Sequence, residues 1–166
     1  NIPVEVYDDK PFFAGDEIRF LFEMLRLIYC FKDDDYLVKN FKSSLYGVAR
    51  SFVYQVKDQE IISFLISENV SCYKDLESLM NYDSLCLIYE DIIDLIANNW
   101  ELPNYVILEE LYKKLRIYKC LATLENPSES ESKVDFFLEK VKSLKGFVFK
   151  DLIDYLEIII DDSSFD

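Results

Sequence analysis

The sequence predicts an all-α domain of several irregularly packed helices, with at most one short strand near the N-terminus. Gly and Pro number only 3 and 4 among 166 residues. This scarcity leaves little material for tight β-turns and favours helices joined by short polar loops. Apolar residues make up 51% of the chain, and many recur at the three- and four-residue spacing of a helix face. Length and composition fit one globular domain, residues 1–166, with a substantial core.

The N-terminal third is expected to hold a β-like run and two helices. The strand is expected over 4–7 and the long helix over 16–31. The three aspartates 33–35 are expected to end that helix and to offer an N-cap for a short helix that continues to about residue 41. Ile18, Leu21, Leu25 and Ile28 place one apolar stripe along the long helix. A loop around Gly47 is expected over residues 43–49, and the next seven residues fit either helix or extended chain.

The rest of the chain is predicted to be a series of helices joined by polar segments. The expected bounds are 58–67, 73–80, 84–98, 105–119, 133–144 and 149–160. The segment NPSESES, residues 126–132, is expected to be a surface loop with a capping box between Ser128 and Glu131. The last six residues, DDSSFD, are expected to fray.

Charge is distributed unevenly along the chain. The formal net charge is −14, which argues against a general nucleic-acid binder. The exception is residues 36–57, which contain four basic residues and no Asp or Glu. This window is either a solvated face or a surface that meets phosphates, because Lys and Arg bound to phosphates release counterions. The candidate DNA-contacting residues are Lys39, Lys42, Ser43, Ser44, Gly47, Arg50 and Lys57.

Other charged or aromatic groups allow two interpretations each. Phe12 and Phe13 could stack on a base, or they could form a hydrophobic staple at the start of the long helix. The basic run at residues 113–119 fits a solvated face near a helix C-terminus. Residues 151, 154 and 157 would place one acidic face on the last helix, solvated or open to a basic partner. We expect no metal site.

Several classes of function are disfavoured by what the sequence lacks. His is absent, which removes Ser-His-Asp and Cys-His catalysis and most catalytic zinc sites. Neither a GxxxxGK[ST] nor a GxGxxG phosphate loop occurs. The four cysteines form no CxxC pair and are interpreted as free, mostly buried thiols of a reducing, cytoplasmic compartment, with a disulfide or a site of four thiolates as the alternative. No apolar run has the roughly 18–20 residues of a membrane span, so no membrane partner is expected.

Four segments, in order, resemble the 2B-type helical insertion of superfamily 1A DNA helicases. They read IPVEVYDDKPFFAGDEIRFLFEMLRLI, DDDYLVKNFKSSLYGV, LIYEDIIDLIANNWELPNYVILEELYKKLRIYKCL and GFVFKDLIDYLEIII. The resemblance is to the RecB/AddA branch of helicase–nucleases in particular, with UvrD-like helicases as relatives. It spans almost the whole chain, and each motif is mostly an apolar spacing.

The resemblance implies a non-catalytic arm of a larger ATP-dependent DNA helicase or exonuclease, acting in DNA repair and recombination. It implies that ATP and Mg²⁺ are held by other domains of that protein, with no cofactor in this segment. The implied partners are DNA and a second helicase–nuclease subunit. The first residue, Asn1, agrees with a piece of a larger protein.

Two departures from the family pattern bear on DNA contact. Gly15 stands where UvrD-like members commonly carry Arg, and residues 47–49 read Gly-Val-Ala where those members have a Gly-Ile-Gly turn on duplex backbone. A turn with fewer glycines brings fewer backbone N–H groups close to a phosphate. A free-standing acidic module that binds a basic protein is the alternative function, and an independent enzyme is disfavoured.

Overall fold

The long apolar stripe near the N-terminus forms the central helix of the fold. The structure is a computed structural model that describes residues 10–164, and the side chains of residues 12–161. Eight α-helices lie in this part of the chain: α1 Asp16–Cys30, α2 Asp34–Ala49, α3 Asp58–Ser67, α4 Asp83–Asn99, α5 Asn104–Leu115, α6 Ile117–Leu121, α7 Pro127–Ser143 and α8 Phe149–Ser164. Two 3₁₀ helices, Lys10–Phe13 and Tyr73–Asn81, accompany them. The described residues contain no strand, so the all-α prediction is confirmed; the predicted strand at 4–7 lies outside them.

Helix α1 is buried on almost every side. Its predicted stripe is confirmed, with Leu21 and Ile28 fully buried, and Phe20 and Met24 on other faces are buried as well. Helices α2, α7 and α8 all pack against it. Burial of apolar surface stabilises a fold by about 25 cal/mol per Å². A helix enclosed in this way therefore supplies much of the hydrophobic stabilisation. Helices α2, α7 and α8 therefore take their positions from α1.

Helix α2 continues through the segment where a loop was predicted. The expected loop over 43–49 is wrong, because Leu45 and Val48 continue the apolar face that Leu37 and Phe41 begin. Asp33 caps the helix as predicted, its carboxylate accepting a hydrogen bond from the Tyr36 backbone N–H. A glycine inside a helix costs about 1 kcal/mol relative to alanine. The packing of this helix against α1 outweighs that cost.

The C-terminal half differs from the predicted pattern at two junctions. The helix expected over 105–119 is broken at Arg116, which has left-handed backbone angles (φ 51°, ψ 52°) and separates α5 from α6. The loop and capping box expected over 126–132 are wrong. Asn126 caps α7 by accepting from the Glu129 backbone N–H, and Pro127 occupies the first turn. Proline suits this position because its missing N–H would have no partner there.

The remaining boundaries agree with prediction within about one turn of helix, with two qualifications. The helix predicted over 73–80 is a 3₁₀ helix, and α8 continues to Ser164 into the segment expected to fray. Residues 50–56, left open between helix and extended chain, form turns in which Gln55 has a positive φ of 52°. No helix of the described residues is long and apolar enough to cross a membrane.

The central position of α1 predicts the effect of truncating Leu21. Leu21→Ala should lower the free energy of unfolding by about 2–5 kcal/mol, since it leaves a cavity beside a fully buried side chain. Leu87→Ala is the matched control, because Leu87 is 55% exposed on α4 and its truncation should change stability by no more than about 0.5 kcal/mol. Urea unfolding followed by circular dichroism measures both. Equal losses in the two variants would contradict a core centred on α1.

Candidate nucleic-acid interface

A polar junction holds α2 against α1 and decides which face of α2 points outward. The Arg26 guanidinium of α1 is only 14% exposed and forms an ion pair at 2.9 Å with Glu23 Oε1. The same guanidinium donates hydrogen bonds to Tyr36 Oη at 3.0 Å and to Asn40 Oδ1 at 2.5 Å, both on α2. One side chain thus fixes two positions one turn apart on α2. This directs the Tyr36–Asn40 face inward and the opposite face towards solvent.

Glu23 completes this junction from the side of the core. Burial raises the pKa of its carboxyl group, while the charges of Arg26 and Arg19 act in the opposite direction. The Ser44 hydroxyl lies 3.5 Å from Glu23 Oε1 and is fully buried. Gly47, one turn further along α2, lies so close to Glu23 that an added Cβ would come within 2.9 Å of its Cγ. Two of the predicted DNA-contacting residues, Ser44 and Gly47, therefore serve the helix–helix contact.

The exposed side of α2 carries the other predicted residues of this helix. We call this surface the α2 outer face: Lys39, Lys42, Ser43, Tyr46 and Arg50. Their spacing of three, four and seven residues places them on one side of the helix over about 17 Å. Within the described part of the chain, neither Lys39 nor Lys42 has a carboxylate oxygen within 4.0 Å. Both ammonium groups are therefore available to an external anion.

Arg50 occupies the end of the α2 outer face and already has partners. Its Nε lies 2.8 Å from Asp58 Oδ1, and its Nη1 donates to the Tyr46 hydroxyl at 3.0 Å. The guanidinium also lies 5.6 Å from the centre of the Tyr46 ring. The hydrogen bond to Tyr46, followed by the Asp58 charge, raises the pKa of Arg50. Lys57 is exposed and precedes α3 directly, one residue before Asp58.

Sequence reasoning missed two residues of this surface. Tyr46 lacks a charge, and its only signal was its position four residues before Arg50. Arg19 belongs to a different helix, yet its half-exposed side chain lines a shallow depression of about 240 Å³ together with Arg50. Arg19 thereby adds a fourth basic side chain next to Lys39, Lys42 and Arg50 of the α2 outer face. A contact between α1 and α2 of this kind leaves no pattern along the chain.

The aromatic pair at the start of the described chain packs against α7. The Phe12 ring stacks on Phe136 with 4.6 Å between ring centres, and Phe13, only 3% exposed, meets the same ring edge-on at 5.5 Å. Of the two interpretations, this geometry favours packing at the entry to α1. Phe13 is thus enclosed, and one face of the Phe12 ring is covered by Phe136.

The second basic run is less available to anions than the first. Residues 113–119 do not share one helix, because Arg116 separates them. Lys113 pairs with Glu110 at 3.1 Å, and Lys114 pairs with Asp94 at 3.0 Å. Two of the four cations of this run are thus paired with carboxylates of neighbouring residues.

The cysteines and acidic residues show no arrangement for metal binding among the described residues. All four thiols are free, but only Cys30 is buried, so the prediction of mostly buried cysteines holds for one of them. Burial raises the pKa of Cys30 to about 12. The exposed residues Asp151, Asp154 and Glu157 form the acidic side of α8, where Asp154 pairs with Lys150 at 2.7 Å.

Comparison with known proteins identifies no relative. No family model, no curated protein and no solved structure matches the chain.

The tight approach of Gly47 to Glu23 predicts the effect of a larger side chain. Gly47→Val should lower the free energy of unfolding by about 1–3 kcal/mol, because the new methyl groups would push into a closely packed helix–helix contact. Gly146→Val is the control, since nothing lies within 4 Å of a Cβ added there. Thermal or urea unfolding distinguishes the two. A Gly47 variant as stable as the Gly146 variant would show that α2 does not pack on Glu23.

Proposed function

We propose that this chain is a non-catalytic helical arm that contacts the DNA backbone through the α2 outer face. The observation that carries the proposal is the pair Lys39 and Lys42, two unpaired cations beside a hydroxyl and an arginine on one exposed helix face. That face belongs to a stretch with no acidic residue, in a chain of net charge −14. A face that meets only water does not require acidic residues to be kept away from its basic ones, whereas a face that binds phosphates does.

The chemistry of this face suits phosphates rather than bases. Lysine ammonium groups and the Ser43 hydroxyl are typical donors to phosphate oxygens, and such contacts position DNA without reading its sequence. The surrounding negative charge weakens binding at long range, but at physiological salt it is screened beyond about 8 Å. Binding by the isolated chain should therefore be weak, insensitive to sequence and strongly dependent on salt.

The larger assembly in this proposal is an ATP-dependent DNA helicase, of the helicase–nuclease type that the four sequence segments resemble. In such a protein, ATP and Mg²⁺ would be bound by the motor domains, and this arm would guide DNA during repair and recombination. The all-α fold supports the proposal, since the insertion that the segments resemble is helical. Ser44 is buried and Gly47 packs against Glu23, which argues that contact runs through side chains of the α2 outer face, not through a glycine turn.

A second candidate function rests on the acidic side of α8. Asp151 and Glu157 are exposed there, without an ion pair to a described basic residue, so a basic protein could bind them. In that case the chain would be an acidic protein-interaction module. Neutralising Lys39 and Lys42 would leave its binding intact, which separates the two functions.

Neutralising the two lysines tests DNA contact directly. The variant Lys39→Gln/Lys42→Gln should bind a fluorescein-labelled DNA duplex several-fold more weakly at low salt. The slope of log K against log salt should fall by about 2, because two phosphate contacts are lost. Fluorescence anisotropy over a range of salt concentrations measures both quantities.

The control for this experiment is Lys119→Gln/Lys145→Gln, which changes net charge by the same amount at two exposed lysines elsewhere. Its affinity and salt slope should stay close to those of the unaltered chain. An equal loss in both double variants would indicate a general charge effect and contradict a specific interface on α2.

The helicase assignment has its own test in the reading frame that encodes this chain. The proposal predicts a GxxxxGK[ST] phosphate loop encoded upstream of Asn1 and a return to motor-domain sequence downstream of Asp166. A start codon directly before Asn1 and a stop codon directly after Asp166 would contradict it, while leaving the DNA-binding test above unaffected.

A further inference from the structure

An exposed aromatic ring lies among the cations of the α2 outer face. Tyr46 is 38% exposed. It follows Ser43 by three residues and Lys42 by four, the spacings at which side chains of one helix are neighbours, about 5–6 Å apart at their Cβ atoms. Lys39 lies seven residues before Tyr46, two turns away on the same side of α2. The face therefore combines donors to phosphates with one aromatic side chain.

Polar contacts hold the Tyr46 ring in place at the surface. Its hydroxyl donates a hydrogen bond to Asp58 Oδ1 at 3.1 Å and accepts one from Arg50 Nη1 at 3.0 Å. No other aromatic ring among the described side chains packs against it. A ring that is oriented in advance loses little conformational freedom when a flat ligand stacks on it.

The charge around this ring favours an anionic ligand. Asp58, the carboxylate that touches Tyr46, is already paired with Arg50 Nε at 2.8 Å. Lys39 and Lys42 have no carboxylate within 4.0 Å in the described part of the chain. The α2 outer face together with Asp58 thus holds three cations and one carboxylate. A ligand that suits the face is both aromatic and negatively charged.

Two other tyrosines are comparably exposed but lack this setting. Tyr73 is 50% exposed, and its backbone N–H donates to Asp34 Oδ1 at 2.8 Å. Tyr118 is 42% exposed, and its hydroxyl donates to Asp135. Neither of these carboxylates has a basic partner within 4.0 Å among the described residues. Each of these tyrosines therefore lies beside an uncompensated negative charge, unlike Tyr46.

We infer that Tyr46 stacks on an unpaired base, so that the α2 outer face favours single-stranded over duplex DNA. The inference rests on the proposed DNA contact and adds the form of DNA that the face selects. Bases inside a duplex are covered on both faces by their neighbours, whereas a single strand can place a base on an aromatic side chain. Lys42 holds a phosphate beside that base. Because every base has such a face, the preference is for the strand form and not for a sequence.

Phosphate contact and stacking make separable contributions to binding. Lys39 and Lys42 contact phosphates of either form of DNA, and this contribution falls as salt rises. Tyr46 acts only on a strand whose bases are free, and its contribution releases no counterions. Loss of the ring should therefore change the ratio of single-strand to duplex affinity without changing the dependence on salt.

Fluorescence anisotropy with two labelled probes tests this inference. The probes are a fluorescein-labelled oligothymidylate and a labelled duplex of the same length. Tyr46→Leu should weaken binding of the single strand about fivefold or more, the range expected for one base–aromatic stack. Its affinity for the duplex should stay close to that of the unaltered chain. Its slope of log K against log salt should also stay the same, because no phosphate contact is lost.

Two control variants separate stacking from other effects of the substitution. Tyr46→Phe keeps the ring but removes the hydroxyl that contacts Asp58 and Arg50, and it should retain most of the preference for the single strand. Tyr73→Leu removes an exposed tyrosine outside the α2 outer face and should leave binding of both probes unchanged. Equal urea midpoints for the three variants establish that all are folded.

A third probe tests stacking without altering the protein. It is a labelled strand with the same sugar-phosphate backbone in which abasic residues replace the thymidines. The unaltered chain should bind it about fivefold or more weakly than the oligothymidylate, because the phosphates remain and the bases are gone. Tyr46→Leu should bind the two strands about equally.

Four results would overturn the inference. They are an equal loss of single-strand and duplex affinity in Tyr46→Leu, an equal loss in Tyr73→Leu, a Tyr46→Phe variant as weak as Tyr46→Leu, and an abasic strand that binds as tightly as the oligothymidylate. Each refutes stacking and leaves the phosphate contacts of the lysines in place. Failure of the proposed function looks different. In that case Lys39→Gln/Lys42→Gln leaves the affinity and salt slope of both probes unchanged, and the inference falls with it.

Discussion

The contact between Arg26 of α1 and the inner side of α2 is the constraint on which the rest of the surface depends. A guanidinium that is 14% exposed must keep its hydrogen bonds, because an unsatisfied buried charge costs several kcal/mol. It meets this need through Glu23 on its own helix and through Tyr36 and Asn40 on α2. Any rotation of α2 about its axis would break these bonds. The apolar packing of α1 supplies stability, and this polar junction sets the orientation of α2 about its own axis.

The orientation of α2 explains why one helix serves two surfaces. The inner side of α2 meets α1 through Asn40 and Ser44, and the outer face presents Lys39 and Lys42 to solvent. Each buried polar side-chain atom among the described residues has a hydrogen-bond partner. Lys39 and Lys42, by contrast, are exposed and have no carboxylate within 4.0 Å among the described residues. The proposed DNA contact follows from this division of α2.

Sequence reasoning succeeded where apolar spacing decides structure and failed where packing overrides local preference. The stripe of α1 and the cap at Asp33 were predicted because periodicity and capping are local properties. The loop predicted around Gly47 was wrong. Gly47 packs against Glu23, which lies 24 positions earlier in the chain, and local sequence cannot show that contact. The lysines of the α2 outer face were found by the absence of nearby acids. Arg19 was missed because no pattern along the chain shows that it lies beside Arg50.

The central claim is that α2 presents the surface on which DNA binds, and an NMR titration tests it most directly. Two-dimensional ¹H–¹⁵N spectra of the labelled chain would be recorded while a short DNA duplex is added at low salt. The account predicts that the largest amide shift changes fall on residues 39–50 of α2 and disappear when salt is raised. The largest changes at residues 113–119, or changes spread evenly over the molecule, would contradict it.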